Sequence, residues 1–463
     1  MINLNTIKSL YFIGAGGIGM SALIRYFLAK GKFVAGYDKT ATDLTLKLNE
    51  EGALIHYEDN VKLIPDCCLD KETTLVVYTP AVPQTHSELT YFRENGFEIL
   101  KRAQLLGLIT NISKGLCMAG THGKTTTSSM LAHILKSSHV DCNAFLGGIL
   151  KNYGSNLILS DTSDLTVIEA DEYDRSFHQL SPYMAAITSV DPDHLDIYGT
   201  EEAYKESFAI FTSLIRPDGV LLMRKGIDLQ PRLQDGVKLY TYSGENEGDF
   251  YAENVKIGNG EIIFDFVTPN SKIKNIILGV PVKINIENAV VAMAIAWLNG
   301  VKEDELREAM ASFAGAKRRF DFYLKHDDIV LIDDYAHHPS ELEASIQSVK
   351  ALYPNKKITG IFQPHLFSRT NDFASEFAHS LSLLDQLILL DIYPAREEPI
   401  PGVTSKLIFD QVSISDKQMV NKADLLSVIE KGNYQVLLMI GAGDIDRLLV
   451  PVKEILEKKR CAR

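Results

Sequence analysis

Residues 115–136, GLCMAGTHGKTTTSSMLAHILK, decide how the chain is read. GLCMA is short and apolar, as a buried strand requires, and TSSMLAHILK has the spacing of an amphipathic helix. Between them lies Gly120-Thr121-His122-Gly123-Lys124-Thr125-Thr126. Glycines let such a loop curl so that backbone N–H groups face inward on phosphate oxygens. The N-terminus of the following helix adds partial positive charge. Lys124 then reaches β- and γ-phosphates, and the Thr125 hydroxyl is placed to ligate Mg²⁺. The strict phosphate-loop pattern has glycine at 118, where this chain has Met118. The loop is a glycine-poorer variant in the right strand–loop–helix setting.

Phosphoryl chemistry also needs hard ligands for a metal. TVIEA, residues 166–170, reads as a strand and runs into Asp171-Glu172-Tyr173-Asp174. MAAITSV, residues 184–190, reads as another and runs into Asp191-Pro192-Asp193-His194. In a parallel sheet these strand ends share an edge with the phosphate loop, so Glu169 and His194 are expected to converge on it. Asp171 and Asp174 fit a solvated acidic loop equally well. GVLLM (219–223) is a further strand. Between about 230 and 280 short alternating stretches (KLYTY, FYAENVKI, EIIFDFV, IKNIILG) predict a small, mostly antiparallel patch.

Upstream, KSLYFI (8–13) reads as a strand, and Gly14-Ala15-Gly16-Gly17-Ile18-Gly19 follows directly before a helix, with Asp38 ending the next strand. That is the GxGxxG arrangement for a diphosphate on a helix N-terminus, with the acid on a ribose hydroxyl. NAD and a nucleotide sugar satisfy it equally. Thr79 and His86 lie in segments that could line the same crevice. Downstream, IVLIDD, KITGIF, QLILLDIY and YQVLLMIG alternate with helical stretches at 340–352, 371–384, 422–431 and 445–458. His, Tyr and Arg cluster where these strands end, which is where open α/β sheets bind ligands. The pattern predicts an α/β protein of three domains, at 1–110, 111–312 and 313–463.

Composition fits an enzyme of this kind. The 463 residues carry a net charge of -13, which argues against a chain built to coat nucleic acid. Five cysteines without framework spacing exclude a disulfide scaffold. The start lacks the charged-then-apolar layout of a signal peptide, and the longest apolar run, Ala289–Leu298, is half of what a membrane helix needs. The expectation is a cytoplasmic protein with no membrane or nucleic-acid partner.

Ten segments together resemble the Mur ligase family: GAGGIGMSA (14–22), AGTHGKTTT (119–127), EADEYDRSF (169–177), DPDHLDIYG (191–199), ENAVVA (287–292), RRF (318–320), DDYAHHP (333–339), FQPHLFSRT (362–370), YPAREEPIPGV (393–403) and GAGD (441–444). They span all three domains in order. The resemblance implies a Rossmann-like N-terminal domain that holds a UDP-sugar. It implies a central ATPase-like domain with a parallel sheet and a small antiparallel part, and a Rossmann-like C-terminal domain. It further implies the joining of L-alanine to UDP-N-acetylmuramate with conversion of ATP to ADP and phosphate, through an acyl phosphate. GGIGM, DHLDIYG and PAREEPIPGV resemble the alanine-adding branch more than the tripeptide-recycling one.

Carried over by resemblance, Gly14, Gly16, Gly17, Gly19, Asp38, Thr79 and His86 serve the UDP-sugar. Gly120 to Thr126, Asn288, Arg319 and Asp334 serve ATP. Thr125, Glu169 and His194 serve Mg²⁺, with Mn²⁺ as the alternative. Lys124, His337, His365 and Arg369 surround the reacting groups, and Tyr335, Arg369 and Arg396 the incoming alanine. The chain departs from the family at Ile284, where a histidine is common, and at Leu366, where many alanine-adding relatives have arginine. Phe208 stands where later ligases of the family place a carbamylated lysine, so no carbamate is expected. The resemblance leaves monomer and homodimer open. Lys124→Ala is expected to abolish turnover and leave the fold intact. A dehydrogenase would account for Gly14–Gly19 and leave the GKTT loop idle; a non-enzymatic ATP switch would leave the third domain's polar strand ends idle.

Overall fold

The computed structural model describes residues 2–395 and 397–461. The chain divides into two compact units. The first comprises Met1–Glu253, Asp265–Ile276 and Glu287–Phe313, and the second Asn254–Phe264, Ile277–Ile286 and Ala314–Arg463.

The first unit opens with a five-stranded parallel sheet, in the order Leu54–His56, Phe33–Tyr37, Ser9–Ile13, Thr74–Tyr78, Glu98–Lys101. Chain order reverses between Ser9–Ile13 and Thr74–Tyr78, whose last residues Ile13 and Tyr78 are paired. A crevice opens at such a reversal, beyond the strand C-termini. After their first residues, Ser9 and Thr74, both strands carry only aliphatic and aromatic side chains, as strands covered on two faces require.

The second sheet has ten strands. Its centre runs Val220–Arg224, Pro182–Ile187, Lys114–Ala119, Leu165–Ala170, Asn143–Leu150, all parallel, and Ser155–Ile158 adds an antiparallel edge. Ile187, Ala119 and Ala170 are register partners, so three strands end level with one another. The hairpin Asn143–Leu150/Ser155–Ile158 escapes the sequence reading because Gly147 and Gly148 interrupt its alternation. KLYTY belongs to Lys238–Ser243, which pairs parallel to Val220–Arg224, so this part of the patch is not antiparallel. The antiparallel part lies further on. Only Asn259 and Gly260 connect Phe250–Gly258 to Glu261–Val267, and a two-residue link cannot join parallel strands.

The N-terminal and central sheets share one apolar core, in which Leu10, Phe12 and Leu23 of the first cluster with Ala119, Phe145 and Ile168 of the second. Asn156 fixes the junction: its amide donates to the Ile18 carbonyl at 2.6 Å and accepts from Arg25 at 2.7 Å. In the helix Ile284–Leu298, residues Ala289 to Ala296 are fully buried, which explains the apolar run. Among the described residues no helix is long and apolar enough to cross a membrane.

The second unit carries a six-stranded sheet in the order Asp321–Lys325, Val330–Asp334, Val436–Ile440, Ile358–Phe362, Gln386–Leu389, Lys417–Met419. Its first pair is antiparallel and the others are parallel. Asp334, Ile440, Phe362 and Leu389 end four strands in register. The helical stretch expected at 371–384 is two helices, Phe367–Asp372 and Ala374–Leu381, meeting at Phe373. The last helix begins at Leu449, after a 3₁₀ turn over Asp444–Leu448.

Candidate active site

The glycine loop after Ser9–Ile13 is pinned by its backbone: the N–H groups of Gly14 and Ala15 donate to the Tyr37 carbonyl at 2.8 and 2.9 Å. Gly14 has φ +88, and a Cβ there would stand 2.3 Å from Thr79 Cγ2, so the glycine and Thr79 loops meet. Gly17 caps the helix Ile18–Ala29. Asp38 Oδ2 accepts the Gly16 N–H at 2.6 Å, so the acid braces the loop itself. At Gly19 a Cβ would come within 2.2 Å of Arg102 Nη1. His86 lies buried with its ring 4.4 Å from that of Tyr37, and burial lowers its pKa. Beneath it, Tyr11 donates to Glu88 at 2.8 Å, and burial raises Glu88 to about 7. Beyond the ends of Thr74–Tyr78 and Glu98–Lys101 a cavity of about 590 Å³ is lined by Tyr78, Lys101, Gln104, Asp174 and Arg175, among others.

The phosphate loop sits where Lys114–Ala119 ends. Gly120 has φ +142 and Gly123 φ +85, both in the region that favours glycine. A Cβ on Gly120 would stand 2.1 Å from Thr188 Oγ1, and one on Gly123 2.7 Å from Asn288 Oδ1. The hydroxyls after Pro182–Ile187 hold the curl. Thr188 Oγ1 donates to the Ala119 carbonyl at 3.1 Å, and Ser189 Oγ accepts the His122 N–H at 2.9 Å. Thr121 Oγ1 donates to the Asp191 carbonyl at 2.7 Å, and the His122 side chain is exposed. Thr125 and Thr126 open the helix Lys124–Lys136. Thr127 donates to Asn288 Oδ1 at 3.2 Å, so Asn288 supports the loop from behind.

Lys124 Nζ donates to the Gly120 carbonyl at 2.6 Å and to Glu172 Oε1 at 2.8 Å. Glu172 is 2% exposed and its Oε2 has no hydrogen-bond partner. Burial raises its pKa, against the pull of the Lys124 ammonium. Thr125 Oγ1 donates to both Glu169 oxygens, at 2.9 and 3.0 Å. A hydroxyl and a carboxylate side by side are hard oxygen donors of the kind a divalent cation takes. His194 has φ 53 and places its ring 5.1 Å from Tyr173 and 3.7 Å from Asp193. Among the described residues no group of three His, Cys, Asp or Glu could hold a metal, so a preformed protein cage is absent.

The second unit gathers its polar strand ends. Ring centroids lie 5.2 Å apart for Tyr335 and His337, 6.1 Å for His337 and His365, and 5.9 Å for His365 and Tyr393. His337 Nδ1 lies 3.0 Å from the Tyr335 carbonyl. Arg369, on Phe367–Asp372, has a buried Nη1 with no hydrogen-bond partner, a donor suited to an anion. Leu366 caps that helix at φ 70. Arg319 is exposed, and Asp334 accepts the Phe320 N–H at 3.4 Å. Arg396 lies outside the described residues.

Sequence reasoning missed four residues that build the cradles: Arg102, Thr188, Ser189 and Glu172. Arg102 left a signal. It is the first residue of the helix Arg102–Asn111, where the helix dipole disfavours a cation. Glycine at 120 is testable by itself. Gly120→Ala is expected to weaken ATP binding more than tenfold while UDP-sugar binding holds, because the new Cβ meets Thr188 at the second cradle alone. Calorimetric titration of each ligand checks this, and equal losses for both ligands would sink the separation of the two cradles.

The chain matches the Mur ligase family catalytic domain over residues 9–113, the Mur ligase middle domain over 118–296 and the Mur ligase glutamate ligase domain over 318–445. It is 69% identical over 458 residues to the UDP-N-acetylmuramate–L-alanine ligase of Parabacteroides distasonis, covering 99% of each chain. It is 56% identical over 452 residues to that of Porphyromonas gingivalis, covering 97% of this chain and 99% of the other. Its fold is similar to the UDP-N-acetylmuramate–alanine ligase of Thermotoga maritima, with TM-score 0.80, 27% identity and coverage of 98% and 100%. A murein peptide ligase from Psychrobacter arcticus shares the fold at TM-score 0.63 and 22% identity, covering 96% and 99%.

Proposed function

The chain belongs to the Mur ligase family, and we propose that its two glycine loops cradle two different phosphate ligands, a sugar nucleotide at Gly14–Gly19 and ATP at Gly120–Thr126. It is an ATP-dependent ligase that joins L-alanine to UDP-N-acetylmuramate. Use of ATP with Mg²⁺ is general to the family. The observation that carries the assignment of the cradles is a cation against each loop within one compact unit: Arg102 at Gly19, and Lys124 at Gly120.

A carboxylate is a poor acyl donor. In this reading the muramoyl carboxylate attacks the γ-phosphorus, ADP leaves, and an acyl phosphate results. The alanine amine then attacks the acyl carbon, and phosphate leaves as the amide forms. Lys124 neutralises charge on the transferring phosphoryl group. Thr125 and Glu169 would hold the cation, which supplies charge neutralisation on the phosphate oxygens; Mn²⁺ has the same preference for oxygen. His194 serves the metal or the substrate, Arg319 and Asp334 the nucleotide, and Asn288 the support of its loop. Tyr335, His337, His365 and Arg369 receive the amino acid, with the orphaned Arg369 nitrogen suited to its carboxylate. Asp38, Thr79 and His86 flank the sugar nucleotide. The reading implies small-molecule partners and a cytoplasmic setting.

Phosphate release from ATP tests it. Release is expected only when UDP-N-acetylmuramate and L-alanine are both present. Reduction of NAD without ATP turnover would defeat the reading.

A further inference from the structure

Asp171 and Glu172 are neighbours just beyond the strand Leu165–Ala170, and each holds a different cation. Asp171 Oδ2 accepts from Arg102 Nη2 at 2.9 Å, and Glu172 Oε1 accepts from Lys124 Nζ at 2.8 Å. Arg102 lies against the glycine loop at Gly19. Lys124 belongs to the phosphate loop. One dipeptide therefore carries the counter-charges of both cradles.

The backbone that bears them is tightly held. Asp174 and Arg175 have φ 50 and 54, a left-handed conformation that a non-glycine residue keeps only where its surroundings hold it. Asp174 pairs with Lys101, next to Arg102, at 2.9 Å. The Arg175 guanidinium lies 4.7 Å over the Tyr198 ring, and the Tyr198 hydroxyl donates to the Glu172 carbonyl at 2.5 Å. The Asp171 carbonyl accepts the Phe177 N–H at 2.9 Å. The two carboxylates thus stand side by side on one constrained stretch of backbone.

We propose that Asp171 and Glu172 are positioning residues that couple the two cradles: phosphate that takes Lys124 from Glu172 also draws Asp171 off Arg102, and so raises the affinity of the glycine loop for a diphosphate. The driving force is the position of Glu172. It is 2% exposed, and a buried carboxylate deprived of its cation is strongly destabilising until it moves or finds another partner. The released guanidinium is a phosphate ligand of suitable geometry. Linkage makes the effect reciprocal, so the sugar nucleotide tightens ATP binding by the same factor. The inference rests on the reading of Gly14–Gly19 as the sugar-nucleotide site.

The test measures the dissociation constant of UDP-N-acetylmuramate by calorimetry, with and without a saturating non-hydrolysable ATP analogue and Mg²⁺. In the unsubstituted protein the analogue is expected to tighten binding by about 5-fold or more, and in Asp171→Asn and Glu172→Gln by less than about 2-fold. Asp171→Asn is also expected to bind the sugar nucleotide more tightly without the analogue, because Arg102 is already released. A structural lesion would weaken that binding instead. Coupling in both variants equal to that of the unsubstituted protein, or no coupling in the unsubstituted protein with both ligands bound, overturns the proposal. If the protein binds the analogue and not UDP-N-acetylmuramate, the assignment of the first cradle fails, and the coupling with it.

Discussion

Lys124→Ala is expected to lower kcat by about 10³, since a single cation or donor aimed at developing phosphoryl charge is worth roughly that much. Lys124 is the only side chain in contact with the phosphate-loop carbonyl of Gly120 that also carries positive charge among the described hydrogen bonds. The ion pair revises the second half of the expectation drawn from sequence, that the fold stays intact. Removing the ammonium leaves Glu172 buried without its partner, and breaking a buried pair from one side costs about 3–5 kcal/mol. Inactivity in K124A alone would therefore mix lost chemistry with lost stability.

The double variant separates the two. Lys124→Ala with Glu172→Gln removes both charges, so the denaturation midpoint is expected to return most of the way to that of the unsubstituted protein. Activity is expected to stay at the level of K124A. The stability deficit of the single variant grows with pH, because burial holds the Glu172 pKa above its ordinary value and the penalty appears as the carboxyl ionises. Activity restored together with stability in the double variant would show that Lys124 serves the fold and not the phosphate.

Much of this site is legible in the sequence because glycine is irreplaceable where it stands. Gly14, Gly120 and Gly123 have positive φ and near neighbours that exclude a Cβ. The composition of the two loops thus reports their geometry directly. Strand ends were legible for a related reason: apolar runs such as VLIDD switch abruptly to polar residues where the strand leaves the sheet. Pairing between distant segments was not. Nothing local tells that Glu172 rather than Glu169 meets Lys124, or that Asp171 meets Arg102, since these bonds join residues 48 and 69 positions apart. KLYTY was misread for the same reason. Alternation marks a strand with one covered face, and it does not tell which neighbour the strand adopts. Sequence placed Asp38 on a ribose, and the structure has it accepting the Gly16 N–H. A carboxylate has two oxygens, so bracing the loop at 2.6 Å is compatible with accepting from a sugar hydroxyl as well.

Asp333 gives the second unit a stability that falls as pH rises. It is the penultimate residue of the strand Val330–Asp334, is fully buried, and has no hydrogen-bond partner for either carboxylate oxygen. Arg318 Nε stands 3.8 Å away, too far for a hydrogen bond, while Arg318 Nη2 donates to the Gly441 carbonyl at 2.6 Å. Burial raises the Asp333 carboxyl to about 7, with Arg318 opposing and Asp334, Asp321 and Asp446 adding to the rise. The folded chain thus keeps a proton that the unfolded chain releases near 3.8. Between those values the unfolded state binds fewer protons, so stability declines with pH and levels off above about 7. At ~1.4 kcal/mol per pH unit the whole decline comes to about 4 kcal/mol. Asp333→Asn keeps the shape and removes the charge. Denaturant midpoints of the full chain at pH 5 and pH 8 are expected to differ in the unsubstituted protein and to converge in the variant, which is the more stable of the two at pH 8. An unchanged pH slope in D333N would place the proton elsewhere and require Asp333 to be ionised in the fold, held by Arg318 alone.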